Sequence, residues 1–157
     1  MQKDVLLTRL ERLYADYLSA AVEVEKNRKL TDLFGLKNGP ADDPCHDRFA
    51  QSLSDLLSDF AAEAPDSEAR CAVLSYLFEA PRNNPEPKSA YWMLVAVHGL
   101  ARDLIGGLNT GDAAALAERY EAFYPRRARL PVQDEVLRAL RQKGGGAPSR
   151  GFSRKKT

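Results

Sequence analysis

Apolar residues recur with helical spacing along most of the chain, and the alternating pattern of half-buried strands is scarce. Leu6, Leu10, Leu13, Tyr17, Ala20 and Val24 step by four and three residues, and Leu7, Tyr14, Leu18 and Ala21 widen the stripe. A stripe of that width faces a core rather than a thin two-stranded seam. Asp4 is the expected N-cap of this first helix, which runs to about Leu33 before Gly35 and the Asn38-Gly39-Pro40 turn end it.

The second helix starts at Asp43 as N-cap, with Pro44 at the first helical position, where its missing N–H costs nothing. Its inner face is Cys45, Phe49, Leu53, Leu56, Leu57 and Phe60, and Pro65 stops it. Asp66 or Ser67 then caps a short third helix that buries Leu74, Leu77 and Phe78 and breaks at Pro81. A proline-rich loop, Pro81 to Pro87, leads into a fourth helix of about Pro87 to Leu108. Beyond Lys88 at its start, that helix is apolar around nearly its whole circumference, with Arg102 and Asp103 the charged exceptions, so the pattern predicts neighbours on every side. Gly99 in its middle predicts a close approach by one of them, since glycine in a helix costs up to about 1 kcal/mol relative to alanine. Tyr91 and Trp92, in the same segment, are expected in the core rather than at an interface.

Asn109-Thr110-Gly111-Asp112 is a turn that caps a fifth helix with Leu116, Tyr120, Phe123 and Tyr124 on its face. Tyr124-Pro125 closes it. A sixth helix from Pro131 to about Lys143 buries Val132, Val136 and Leu140. The expected fold is therefore all-α: a compact bundle of about six helices over residues 1–143, followed by a flexible basic tail over 144–157. A chain of this length buries enough surface to dispense with metals or disulfides.

Charge changes the picture. Up to Pro125 the chain carries 13 Lys/Arg against 20 Asp/Glu, a balance of −7; from Arg126 onward it carries 10 against 2, a balance of +8. The formal total of +1 thus conceals an acidic body joined to a basic end. Arg126, Arg127 and Arg129 follow Tyr124-Pro125, Arg138, Arg141 and Lys143 lie on the sixth helix, and Arg150, Arg154, Lys155 and Lys156 finish the chain around Phe152. Such a pattern suits phosphates or another polyanion, nucleic acid included. Two structural explanations compete with it. Late cations on the sixth helix complement its macrodipole, and Arg126 to Arg129 could pair with the acidic body.

Enzyme chemistry has few carriers. His98 falls at the edge of the fourth helix's apolar arc and reads as a core-rim residue with one hydrogen bond. Cys45, in a first helical turn, reads as a small buried thiol because Asp42, Asp43 and Asp47 oppose a thiolate. Paired Glu-x-x-His motifs, EF-hand loops, phosphate-binding glycine loops and nucleophile elbows do not occur, so no catalytic residue, metal or cofactor is assigned. Two cysteines make no disulfide framework, and the N-terminus lacks the uninterrupted apolar region of a signal peptide. The longest apolar run, Ala90 to Val97, falls far short of the ~20 residues of a membrane span, and a cytoplasmic location is expected. These features lead to a non-enzymatic binding or adaptor protein with an unidentified protein partner. The alternatives are a nucleic-acid-associated protein working through its basic end and an enzyme or small-ligand protein with a pocket near His98 or Cys45.

Overall fold

The structure, a computed structural model, describes residues 2–33, 44–84 and 87–145. The described residues form six α-helices: α1 (Lys3–Leu33), α2 (Pro44–Ala62), α3 (Ser67–Glu79), α4 (Pro87–Ile105), α5 (Thr110–Phe123) and α6 (Pro131–Lys143). Short 3₁₀ helices follow α3 (Ala80–Asn83) and α5 (Arg126–Ala128), and the described residues contain no strand. The expected caps at Asp43 and the turn around Asn38 lie outside the described residues, as does the tail from residue 146 onward.

Local chemistry sets most of the boundaries. The Asp66 carboxylate accepts the Ala69 N–H at 2.8 Å and starts α3, and the Asn109 side chain accepts the Asp112 N–H at 2.7 Å to start α5. Each such cap contributes about 1 kcal/mol. Ser67 ties the two starts together: its hydroxyl donates to Asp112 at 2.6 Å and accepts the Asn109 N–H at 2.8 Å. At α6, Pro131 opens the helix and the Gln133 side chain reaches back to accept the Leu130 N–H at 2.8 Å.

The packing is organised around α3 and α4, which lie against each other. The α1/α2 pair contacts them from one side, α1 on α3 and α2 on α4. The α5/α6 pair does the same from the other, α5 on α3 and α6 on α4. One continuous apolar core results, anchored by Leu6, Leu10, Leu53, Phe60, Leu74, Leu77, Phe78, Met93 and Leu140. On α1 the buried positions are Leu6, Leu10, Tyr14, Tyr17 and Ala21; Leu13 and Ala20 sit half-buried at the edge, and the Val24 side chain lies outside the description. On α6 the buried residues are Gln133, Val136, Leu137 and Leu140, whereas Val132 is half-buried.

Helix α4 departs from its expected surroundings. It ends at Ile105, and its neighbours α2, α3 and α6 leave one line of residues uncovered. Tyr91 is 61% exposed and Val95 38%, so Tyr91 is a surface residue and not a core one. Trp92 and Leu100 are only partly buried. Gly99 faces open space: a Cβ built there meets no atom within 4 Å. The close approaches lie elsewhere. A Cβ at Gly107 would fall 2.2 Å from Arg70 Nε, and one at Gly144 would fall 3.0 Å from the Ala114 backbone nitrogen, where α6 ends against the start of α5.

Candidate anion-binding surface

The corner after α5 is shaped by proline and held by arginine. Tyr124 precedes Pro125 and is driven out of helical geometry (φ −119°, ψ 87°), which ends α5. The Tyr124 ring stays buried, and its hydroxyl donates to the Phe78 carbonyl at 2.5 Å, fixing the corner to α3. The chain then makes the 3₁₀ turn Arg126–Ala128 and enters α6 through Leu130-Pro131.

The three arginines of this corner have different fates. Arg129 turns inward and its side chain is 8% exposed. Its Nε donates to Asp134 at 2.8 Å and its Nη1 to the Tyr124 carbonyl at 3.1 Å, so it staples the end of α5 to the start of α6. Arg126 and Arg127 are exposed, and neither has a carboxylate partner among the described residues. The same holds for Arg138, one helical turn beyond Asp134 on α6. Arg126, Arg129, Arg138 and Arg141 line an open groove of about 600 Å³ together with Glu121 and Asp134, with Leu137 at its base. Both acids are already engaged, Glu121 by Arg141 and Asp134 by Arg129. The groove therefore holds two paired carboxylates and positive charge left over.

Arg82, on the 3₁₀ helix after α3, joins the same corner from across the fold. Its Nη1 donates to the Phe123 carbonyl at 2.7 Å, and its guanidinium lies over the Phe123 ring, 4.8 Å from the centroid. It too has no carboxylate partner among the described residues. Nothing in the sequence signals this neighbour, because 41 residues separate Arg82 from Phe123. Of the cations read from the sequence, Arg126, Arg127 and Arg129 come together here, while Arg150, Arg154, Lys155 and Lys156 lie outside the described residues.

The two other places singled out by sequence are built differently. His98 is fully buried, not at a rim, and both ring nitrogens are engaged: Nδ1 at 2.8 Å from the Leu94 carbonyl and Nε2 at 2.8 Å from the Tyr120 hydroxyl. A carbonyl can only accept, so Nδ1 carries the proton and Nε2 accepts from Tyr120. Burial drives the imidazole pKa down to about 4, partly opposed by the bond to Leu94, so the ring is neutral at pH 7. Cys45 is 5% exposed beside a cleft of about 280 Å³ whose walls include Tyr17, Phe49 and Arg48. His46 next to it is buried, with Nδ1 at 2.7 Å from the Tyr17 hydroxyl, in a cluster of Tyr17, Phe49 and Trp92 rings. The Cys71 thiol is pushed up by burial and by the nearby Asp112 carboxylate. Among the described residues no three His, Cys, Asp or Glu side chains are grouped to hold a metal ion, and no helix is long and apolar enough to cross a membrane.

Comparison with protein-family models, with curated proteins and with solved structures finds no match for this chain.

Proposed function

We propose that this protein is a non-enzymatic helical binding or adaptor protein of the cytoplasm, and that its working surface is the basic corner between α5 and α6. The observation that carries this reading is the unequal pairing of that corner. Arg129 and Arg141 pair with the groove's two acids, and Arg82, Arg126, Arg127 and Arg138 have no carboxylate partner among the described residues. A fold gains little from exposed cations with no partner, whereas an anionic partner gains charge-assisted hydrogen bonds from them. Arginine is well suited to this because its planar fork matches carboxylate and phosphate oxygens. The macrodipole of α6 accounts for Arg141 and Lys143 in its last turn, but it does not reach Arg126 and Arg127, which precede the helix. Arg150, Arg154, Lys155 and Lys156 continue the positive charge in sequence and belong to the same proposed function.

Retention on an immobilised polyanion such as heparin tests the reading. The variant Arg126→Gln/Arg127→Gln/Arg138→Gln is expected to elute at clearly lower salt than wild type. Arg119→Gln, which removes a cation already paired with Glu79, serves as the charge control and should change elution less. Equal elution of the triple variant and the control would refute the assignment of the surface.

A further inference from the structure

The guanidinium of Arg82 is held more tightly than an exposed arginine needs to be. The Phe123 ring lies under it, the Tyr124 ring stands 6.0 Å from its carbon, and the Phe123 carbonyl takes one of its N–H groups. These contacts fix the plane of the group while the residue as a whole stays exposed. The guanidinium carbon thus sits over the Phe123 ring on a residue that is exposed to solvent. That is a platform for a second flat, electron-rich ring, because arginine planes stack on nucleobases as they do on aromatic side chains. Binding is also cheaper when the side chain is ordered beforehand.

The charges beside it extend further than a single phosphate group. Arg126 and Arg127 occupy the turn directly after Phe123-Tyr124-Pro125, and Arg138 on α6 lines the same groove as Arg126. An arginine over an aromatic ring, beside cations with no carboxylate partner among the described residues, matches a chain that alternates bases with phosphates. An acidic protein surface matches it less well, because it offers a ring to stack only where an aromatic side chain happens to be exposed. A duplex keeps its base faces covered, so the matching form is the unpaired strand. Resting on the anion-binding role proposed above, we propose that this surface takes single-stranded nucleic acid, with a base stacked on Arg82 and phosphates neutralised by Arg126, Arg127 and Arg138.

Abasic oligonucleotides separate the two contributions. Fluorescence anisotropy would compare labelled RNA and DNA single strands of about 12 nucleotides, within the usual site sizes, with abasic strands of the same length and charge. Wild type is expected to favour the base-bearing strand about tenfold, a value inside the range for one stacked base. Arg82→Ala should erase that preference, and Arg82→Lys, which keeps the charge and loses the plane, should erase it as well. Thermal unfolding of both variants at the wild-type midpoint would confirm that the fold is intact. Equal affinity for base-bearing and abasic strands, or a preference that survives Arg82→Ala, would overturn the stacking assignment and leave anion binding standing. Binding to inorganic polyphosphate with none to either strand would overturn the nucleic-acid partner alone. Failure to bind polyphosphate as well would overturn the anion-binding role itself. The ratio of RNA to DNA affinity then tells which strand the surface prefers.

Discussion

Acidification should weaken this fold through His98, by an amount that follows from its surroundings. The neutral ring donates from Nδ1 to Leu94 and accepts from Tyr120, and the Phe78, Tyr120 and Tyr124 rings pack within 6 Å of it. No carboxylate is among these partners to stabilise an imidazolium. Its pKa is lowered from 6.5 to about 4, so the unfolded chain takes up a proton at a pH where the folded chain does not. Stability is therefore complete above about pH 6.5, falls as pH drops from 6.5 to 4, and loses nothing more from this group below that. Integrated from pH 7.5 to 4.5, the loss is about 2–3 kcal/mol, a large share of an ordinary domain's stability. Urea denaturation of wild type and His98→Gln at several pH values reads this directly. All other groups are common to both proteins and cancel in the difference. The wild type should lose about 2–3 kcal/mol more than the variant across that range, and the His98 resonances should show a proton on Nδ1 and no titration near pH 6.5. Parallel pH profiles, or a His98 midpoint near 6.5, would refute the reasoning.

Gly99→Ala should stabilise the protein by about 0.5–1 kcal/mol, since a methyl group meets nothing there and helix propensity alone decides; chemical denaturation measures it. Leu104→Ala should cost ~2–5 kcal/mol as a fully enclosed leucine of α4, and the half-buried Leu100→Ala should cost clearly less by the same assay. Arg129→Ala should cost about 1–3 kcal/mol by releasing Tyr124 and Asp134, while Arg126→Ala and Arg127→Ala should stay within about 0.5 kcal/mol, as thermal or urea unfolding would show. Native-state alkylation at pH 7 should be slow at Cys45, which is buried, and faster at the partly exposed Cys71, as mass spectrometry of the labelled peptides would reveal.

What the sequence discloses depends on how local the physics is. Helix α6 is readable from end to end because Pro131 marks its start and glycine its finish, and the caps at Asp66 and Asn109 act on nitrogens three residues away. The surroundings of α4 are not readable in this way. Its composition predicts enclosure, yet among the described residues the line through Tyr91, Val95 and Gly99 faces outward. Glycine is ambiguous for the same reason: Gly99 marks no close approach, whereas Gly107 and Gly144 do. At the basic corner, the cluster of Arg126, Arg127 and Arg129 is visible as charge. The division of labour among them depends on direction, because Arg129 points inward to Asp134 and the other two point out. Arg82 could not have been found, since its place beside Phe123 comes from the packing of α3 against α5.

Salt dependence of binding shows whether Arg126, Arg127 and Arg138 at this corner neutralise a polyanion. Affinity for a labelled polyphosphate chain would be measured at several salt concentrations for wild type and for Arg126→Gln/Arg127→Gln/Arg138→Gln. Each cation that neutralises a phosphate adds roughly 0.7 to the log–log slope for a single-stranded polyanion, so the account predicts a slope shallower by about two in the variant. Identical slopes in the two proteins would contradict it.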